Sequence, residues 1–311
     1  MNCSIVIRAY NEEKHIGRLL EGIQHQTVKD VEIILVDSGS TDSTVSIAES
    51  FGARIVRIPS DEFTFGRSLN FGVQAATWKF VVIVSAHVYP VYPDWLETLL
   101  HPFGDQRVAL TYGKQRGPEF AKFSEQQIFH QWYPDVSNLN QATAFCNNAN
   151  AAIRKGLWEK NHYDEVLTGL EDLAWAKWAK DQGYAIAYVA EAEIVHVHNE
   201  TPRGIFNRYR REAMAFKQIH PEAHFNLYDF VRLTVANIFS DLYHAVRERV
   251  LWKNIASIFW FRFMQFHGTR LGYRESGMLT PQLRETFYYA RERKRKERKK
   301  RDVEPIQYNE K

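Results

Sequence analysis

Short apolar runs and longer stretches with apolar residues at helical spacing alternate through the first 115 residues. Residues 4–7, 31–36, 53–58, 80–84 and 107–112 read as strands. The run 80–84 is apolar at every position, as expected of a strand with both sheet faces covered. Between the strands, residues 12–26 place Ile16, Leu19, Leu20 and Ile23 on one helical face. Thr41 or Asp42 can cap the next helix. A loop over 59–66 leads into a helix around 67–76, and another helix starts at Tyr92-Pro93-Asp94. This rhythm predicts an α/β fold with a doubly wound sheet.

Beyond residue 115 the pattern changes. Residues 117–140 read as loop and helix, a mobile cover. Residues 142–153 have strand character but contain Asn147, Asn148 and Asn150. Residues 169–182 predict a helix with Trp175 and Trp178 on one side, and 184–189 and 193–198 predict two strands. After Pro202 the chain turns helical over 204–219, 228–249 and 251–269. The expected division is a sheet domain over 1–202, a helical region over 203–290 and a charged tail over 291–311. No internal repeat is visible.

Composition adds three points. The only cysteines, Cys3 and Cys146, give neither a disulfide framework nor a zinc spacing. A reduced core thiol at Cys3 fits a cytoplasmic setting. The formal charge of +3 conceals an asymmetry, because residues 291–302 hold nine basic and three acidic side chains and leave the rest of the chain net negative. The tail reads either as a solvated charged helix or as a contact for an anionic membrane surface. Nothing else points to nucleic acid, so no nucleic-acid partner is expected. No secretory leader pattern is visible, and the most apolar long stretch, 250–266, is broken by Lys253, Asn254 and Arg262.

Two strands run directly into polar signatures, Arg8-Ala9-Tyr10-Asn11-Glu12 and Asp37-Ser38-Gly39-Ser40-Thr41-Asp42. In parallel α/β sheets the C-terminal strand ends form the ligand crevice. Their separation of about 30 residues suits a βαβ unit, and together they read as a nucleotide pocket. The pair resembles the opening of the family 2 glycosyltransferases, enzymes of the GT-A fold that use nucleotide-sugar donors. The resemblance implies a GT-A type, mostly parallel sheet with a helical C-terminal extension. Tyr10 is then expected to pack on a base, Glu12 to accept from a ribose hydroxyl, Arg8 to meet phosphate and Asp37 to contact the nucleobase edge. Ser40 and Thr41 read as turn and cap residues.

The stretch Phe63-Thr64-Phe65-Gly66-Arg67-Ser68-Leu69-Asn70 resembles the family segment that closes over the donor. Arg67 suits a diphosphate at a helix start or a solvated surface position, and Asn70 suits the loop backbone. The strand 80–84 ends in Ser85-Ala86-His87, where the family usually has Asp-x-Asp with its metal-holding acid. In this form the segment resembles a rhamnosyltransferase-like subgroup of the family. It leaves His87 either as a metal ligand or as a direct contact to diphosphate, and Mg²⁺ or Mn²⁺ as the implied cofactor. Val195-His196-Val197-His198 alternates, so both imidazoles face one side; His198, nearer the strand end, is the preferred second ligand, with His196 as a third. Asn148 and its neighbours can meet sugar hydroxyls.

Glu171-Asp172 starts a helix. Adjacent helical residues point about 100° apart and cannot share one task. The resemblance assigns Asp172 as general base and Glu171 as the group that orients the acceptor or the helix start. The bland alternative is complementation of the helix dipole. Gly-x-Gly-x-x-Gly and a P-loop are both absent, which excludes a dehydrogenase and a P-loop kinase. A sugar nucleotidyltransferase would need a glycine-rich basic loop after the first strand. The expected function is an inverting glycosyltransferase. It would move a sugar from a UDP- or dTDP-linked donor, dTDP-rhamnose among them, to a hydroxyl of a cell-surface or lipid-linked glycan at the cytoplasmic side of the membrane. The alternative is a catalytically inactive nucleotide-sugar-binding protein whose Asp-x-Asp site is lost; the retained Glu171-Asp172 pair speaks for the enzyme.

Overall fold

The computed structural model describes residues 1–198, 200–275, 283, 286 and 287. Residues Met1–Met278 form one compact unit. The basic stretch 291–302 lies outside the described residues.

One eight-stranded sheet forms the frame: β1 (Cys3–Ala9), β2 (Val31–Asp37), β3 (Arg54–Arg57), β4 (Phe80–Ser85), β5 (Val88–Pro90), β6 (Val108–Arg116), β7 (Asn150–Arg154) and β8 (Ala185–His196). Their spatial order is β3-β2-β1-β4-β7-β6-β8-β5. The β3-β2-β1-β4 half is parallel, β7 runs antiparallel between β4 and β6, and β6 and β8 are parallel. The result is a mostly parallel sheet with helices on both faces, as the resemblance implies.

Strand alternation sorts the core into two layers. Ile5, Ile7, Val82 and Val84 pack on one face with α1 (Ile16–Gln24) and α4 (Trp95–Leu100). Val6, Val81 and Ile83 pack on the other with α3 (Phe65–Ala75) and α7 (Glu171–Asp181). Short elements α2 (Thr44–Ser50) and α6 (Lys155–Trp158) follow β2 and β7. Helix α5 (Phe123–Trp132) forms within the weakly patterned region after β6.

Several sequence expectations shift. Residues 142–149 are not strand, because their backbone groups bond side chains instead of a ladder: Ala149 N–H donates to Asn147 Oδ1 and Asn148 N–H to Asp172. Only Asn150–Arg154 pairs with β4 and β6. The two strands expected over 184–198 are one twelve-residue strand, with a register shift opposite Gly113/Gln115. It ends at His196, so His198 lies beyond the ladder. The short β5, unsignalled in the sequence, pairs Val88 with His196.

The C-terminal helices are α8 (Pro202–Ile219), α9 (Leu227–Arg247) and α10 (Leu251–Arg274). Helix α10 lies backbone to backbone against α8. A Cβ at Gly268 would sit 2.3 Å from the Phe206 carbonyl oxygen, and one at Gly272 equally close to that of Arg210, so only glycine allows this approach. Arg262 forks onto Asp241 at 2.7 and 2.8 Å, a buried ion pair that ties α10 to α9. Among the described residues, no helix is long and apolar enough to cross a membrane.

Candidate active site

The site grows from the C-terminal ends of β1, β2 and β4. In register, Arg8 lies between Val36 and Ser85, and Ala9 lies opposite Asp37. Neighbouring strands are about 4.8 Å apart, so these ends share one edge. The loops after β1 and β2 are sewn together. Asn11, with φ of 53°, donates its N–H to Ser40 Oγ and accepts from Thr41 N–H. Glu12 N–H donates to Thr44 Oγ1, and Glu13 N–H to Asp42. Ser43, without a side-chain cap bond, holds the N-cap position expected of Thr41 or Asp42, while Asp42 accepts Thr44 N–H from one residue further out. Burial would raise its pKa, but the bonds from Thr44 and Glu13 win and hold it low. Asp37 is buried and accepts from the Gly39 and Ser40 N–H groups, which shapes the turn beneath the crevice.

A second group forms around the start of α7. Leu170, at φ 56°, turns the chain so that Glu171 opens the helix. Arg8 Nη1 donates to Glu171 Oε1 at 3.1 Å, across 163 residues of sequence, and Asn148 Nδ2 lies 3.4 Å from the same oxygen. Asp172 accepts from Asn148 N–H at 3.0 Å and Leu173 N–H at 2.8 Å. Burial first, then the neighbouring Glu171 charge, push the Asp172 carboxyl from 3.8 up to about 7; the two N–H bonds and Arg8 pull less strongly the other way. Buried Arg8 Nε and Asn148 Oδ1 make no hydrogen bond within the protein. Each such group costs about 1–3 kcal/mol unless something pairs with it.

The third group is three imidazoles. Ring centroids lie 4.0 Å apart for His196–His198, 5.1 Å for His87–His196 and 6.0 Å for His87–His198. One nitrogen from each falls within 4.8 Å of the others. Every Nδ1 has an oxygen partner: Glu12 Oε1 at 3.1 Å for His87, Gln115 Oε1 at 2.8 Å for His196 and Glu125 Oε1 at 2.8 Å for His198. A proton on Nδ1 satisfies those oxygens and leaves Nε2 bare in each ring. His196 Nε2 is buried without a partner, and burial, then the His198, His87 and Arg208 charges, drive this imidazole's pKa far down. Neutral imidazoles with oxygen acceptors behind them are the usual surroundings of bound transition metals. The donor set therefore fits Mn²⁺ or a softer divalent ion, and fits Mg²⁺ poorly, since Mg²⁺ prefers oxygen ligands. Glu125, His198 and Glu200 also lie close together, but Arg208 on α8 pairs with both carboxylates, at 3.1 and 2.8 Å.

Arg67 forms an ion pair with Glu62 at 2.8 Å just inside α3, whose start Thr64 caps. Tyr10 and Ser85 are half-buried at the ends of β1 and β4. Asn70 bonds the backbone of a distant segment and not the expected 59–66 loop: its Nδ2 donates to the Tyr163 carbonyl and its Oδ1 accepts Tyr163 N–H. Asn150, grouped in the sequence with Asn148, is a core residue: it accepts from Trp95 Nε1 and donates to the Lys114 and Ala192 carbonyls. Sequence reasoning missed Gln115, Glu125 and Arg208. Glu125 sits in the first turn of α5, 73 residues from the histidine it holds.

Residues 4–160 match the family model described as Glycosyl transferase family 2. The chain is 29% identical over 222 residues to the O-antigen chain rhamnosyltransferase RfbN of Salmonella typhimurium, covering 67% of this chain and 70% of that protein. It is 33% identical over 220 residues to the O-antigen chain rhamnosyltransferase WbaN of Salmonella anatum, covering 66% and 69%. Among solved structures, the mannosyltransferase PcManGT from Pyrobaculum calidifontis, in complex with GDP-Man and Mn²⁺, superposes with a TM-score of 0.59 at 18% identity, over 86% of this chain and 85% of that one. That likeness establishes the shared fold.

Proposed function

Because the chain belongs to glycosyl transferase family 2 and is therefore a glycosyltransferase, we propose that it inverts the anomeric centre of a nucleotide-activated sugar, dTDP-rhamnose, as it moves that sugar to a hydroxyl of a lipid-linked glycan at the cytoplasmic face of the membrane. The rhamnosyl donor is favoured by the two O-antigen chain rhamnosyltransferases to which the chain is similar; other dTDP- and UDP-sugars are the competing donors.

The observation that carries this reading is the Asp172 carboxylate. It lies in the first turn of α7, and with a pKa of about 7 it is a usable base at neutral pH. Asp172 takes the acceptor hydroxyl proton while that oxygen bonds the anomeric carbon from the face opposite the diphosphate. The bond from that carbon to the diphosphate oxygen breaks, and the nucleoside diphosphate departs with the bonding pair. Glu171, held by Arg8 and Asn148, orients the acceptor. The bare Arg8 Nε donates to a phosphate or sugar oxygen, and the bare Asn148 Oδ1 accepts from a sugar hydroxyl. Arg8, Tyr10, Glu12, Asp37, Arg67 and Ser85 form the donor side, Glu12 acting through His87. His87 and His198, with His196, would hold the divalent metal, whose charge offsets that of the leaving diphosphate when bound.

The test is a panel of nucleotide sugars followed by release of nucleoside diphosphate and by NMR of the product's anomeric centre. Release from dTDP-rhamnose with inversion supports the reading. Retention, or turnover only with other donors, overturns the stereochemical or the donor part respectively.

A further inference from the structure

Helices α9 and α10 are apolar on two sides. Their inner sides carry Asp241, Ala245, Ile258 and Phe261, all buried. On α9, Tyr228, Val231, Val235, Phe239, Tyr243 and Val246 are all exposed. Their three- and four-residue spacing places them in one stripe running the length of the helix. On α10, Trp252, Phe259 and Phe263 repeat the pattern, and Trp252 is 86% exposed. Isolated exposed apolar residues are ordinary, but stripes of this length mark a surface that meets something.

We propose that the outer surface of the α9–α10 hairpin docks on the anionic face of a lipid bilayer. Charge selects this occupant. Between residues 227 and 263 the exposed charged side chains are Arg232, Arg247, Arg249 and Lys253 against Glu248 alone. Three of the four cations flank Trp252 at the turn between the helices, where Arg249 adopts φ 61°. Aromatic and aliphatic side chains with a basic fringe suit the headgroup boundary, where apolar groups enter the acyl region and cations meet lipid phosphate. A tryptophan at the tip suits the same boundary. A second copy of the chain fits less well, because a two-fold contact would set this basic fringe against itself. The sequence beyond the described residues adds nine basic against three acidic residues over 291–302, the same sign of charge.

The test is flotation of the full chain with vesicles of phosphatidylcholine alone or doped with phosphatidylglycerol, at low and high salt. The unaltered protein should float with the doped vesicles, weakly with neutral ones, and less as salt rises. Phe239→Ser/Trp252→Ser should lower the partition by roughly tenfold or more and leave the thermal melt unchanged, since both side chains face solvent. This variant keeps the basic tail. If it floats like the parent, the tail alone is the contact and the proposal fails. No flotation at low salt overturns it too, as does self-association of the parent that the double variant abolishes without any vesicle binding.

Discussion

Replacing Asp172 by asparagine should make the protein more stable and nearly inactive, and the stability change should depend on pH. The carboxyl is pushed from 3.8 to about 7, chiefly by burial, so holding it ionised in the folded chain costs of the order of 4 kcal/mol at 1.36 kcal/mol per decade. Below pH 4 both folded and unfolded chains carry the proton and no cost arises. From about pH 4 to 7 the unfolded chain releases a proton that the folded chain keeps, so the parent loses stability as pH rises, with the full loss above 7. The neutral carboxamide of Asp172→Asn carries no such cost. It has one oxygen for the two N–H donors, those of Asn148 and Leu173, and losing one bond costs about 1–3 kcal/mol. Net, the variant should gain roughly 2 kcal/mol at pH 8. Relative to the parent, its advantage should grow by about 3 kcal/mol between pH 5 and 8, or roughly 5 °C in Tm for a unit of this size. Melting both proteins across that range, with turnover measured in parallel, is the assay. Turnover should fall by about 10²–10⁴-fold, with donor binding retained. A Tm difference that ignores pH would refute the burial argument, and near-normal turnover would remove Asp172 from the chemistry.

Other outcomes follow from single contacts. Arg262→Met leaves Asp241 buried and unpaired and should cost about 3–5 kcal/mol in urea unfolding, most of it recovered in Arg262→Met/Asp241→Leu. Asn70→Ala strands Trp158 Nε1, the Tyr163 N–H and the Tyr163 carbonyl and should cost more than about 2 kcal/mol, read by the same unfolding curve. Gln115→Leu removes the acceptor behind His196 and should weaken Mn²⁺ binding about 10–100-fold in isothermal titration, with secondary structure intact. In that titration the unaltered protein should bind Mn²⁺ more tightly than Mg²⁺.

The parallel half of the sheet is legible in the sequence because buried strands are apolar without alternation, as in residues 80–84. The Arg8, Asp37 and His87 neighbourhoods are legible because each follows such a strand directly. The stretch 142–149 has strand character yet forms none, because the donors there are spent on Asn147 and Asp172, a partnership no local pattern displays. His196 and His198 lie close together as expected, but not by strand alternation, since β8 ends at His196; their oxygen partners are not legible either, because Gln115 comes from β6 and Glu125 from α5, brought in by tertiary packing alone. The ion pair between Arg8 and Glu171 is likewise invisible in one dimension, since strand β1 and helix α7 meet only when the whole sheet has formed.

The link His198–Glu125–Arg208 carries a consequence for building hybrids of this enzyme with its relatives. One imidazole is held by a carboxylate from the middle of the chain, and that carboxylate is neutralised by a guanidinium from α8, beyond the last strand. A splice placed at Pro202 would import a foreign α8 and strip Glu125 of its guanidinium partner, although no motif had been touched. Exchange of the helical portion therefore preserves this link only when Glu125 and residue 208 travel from the same parent.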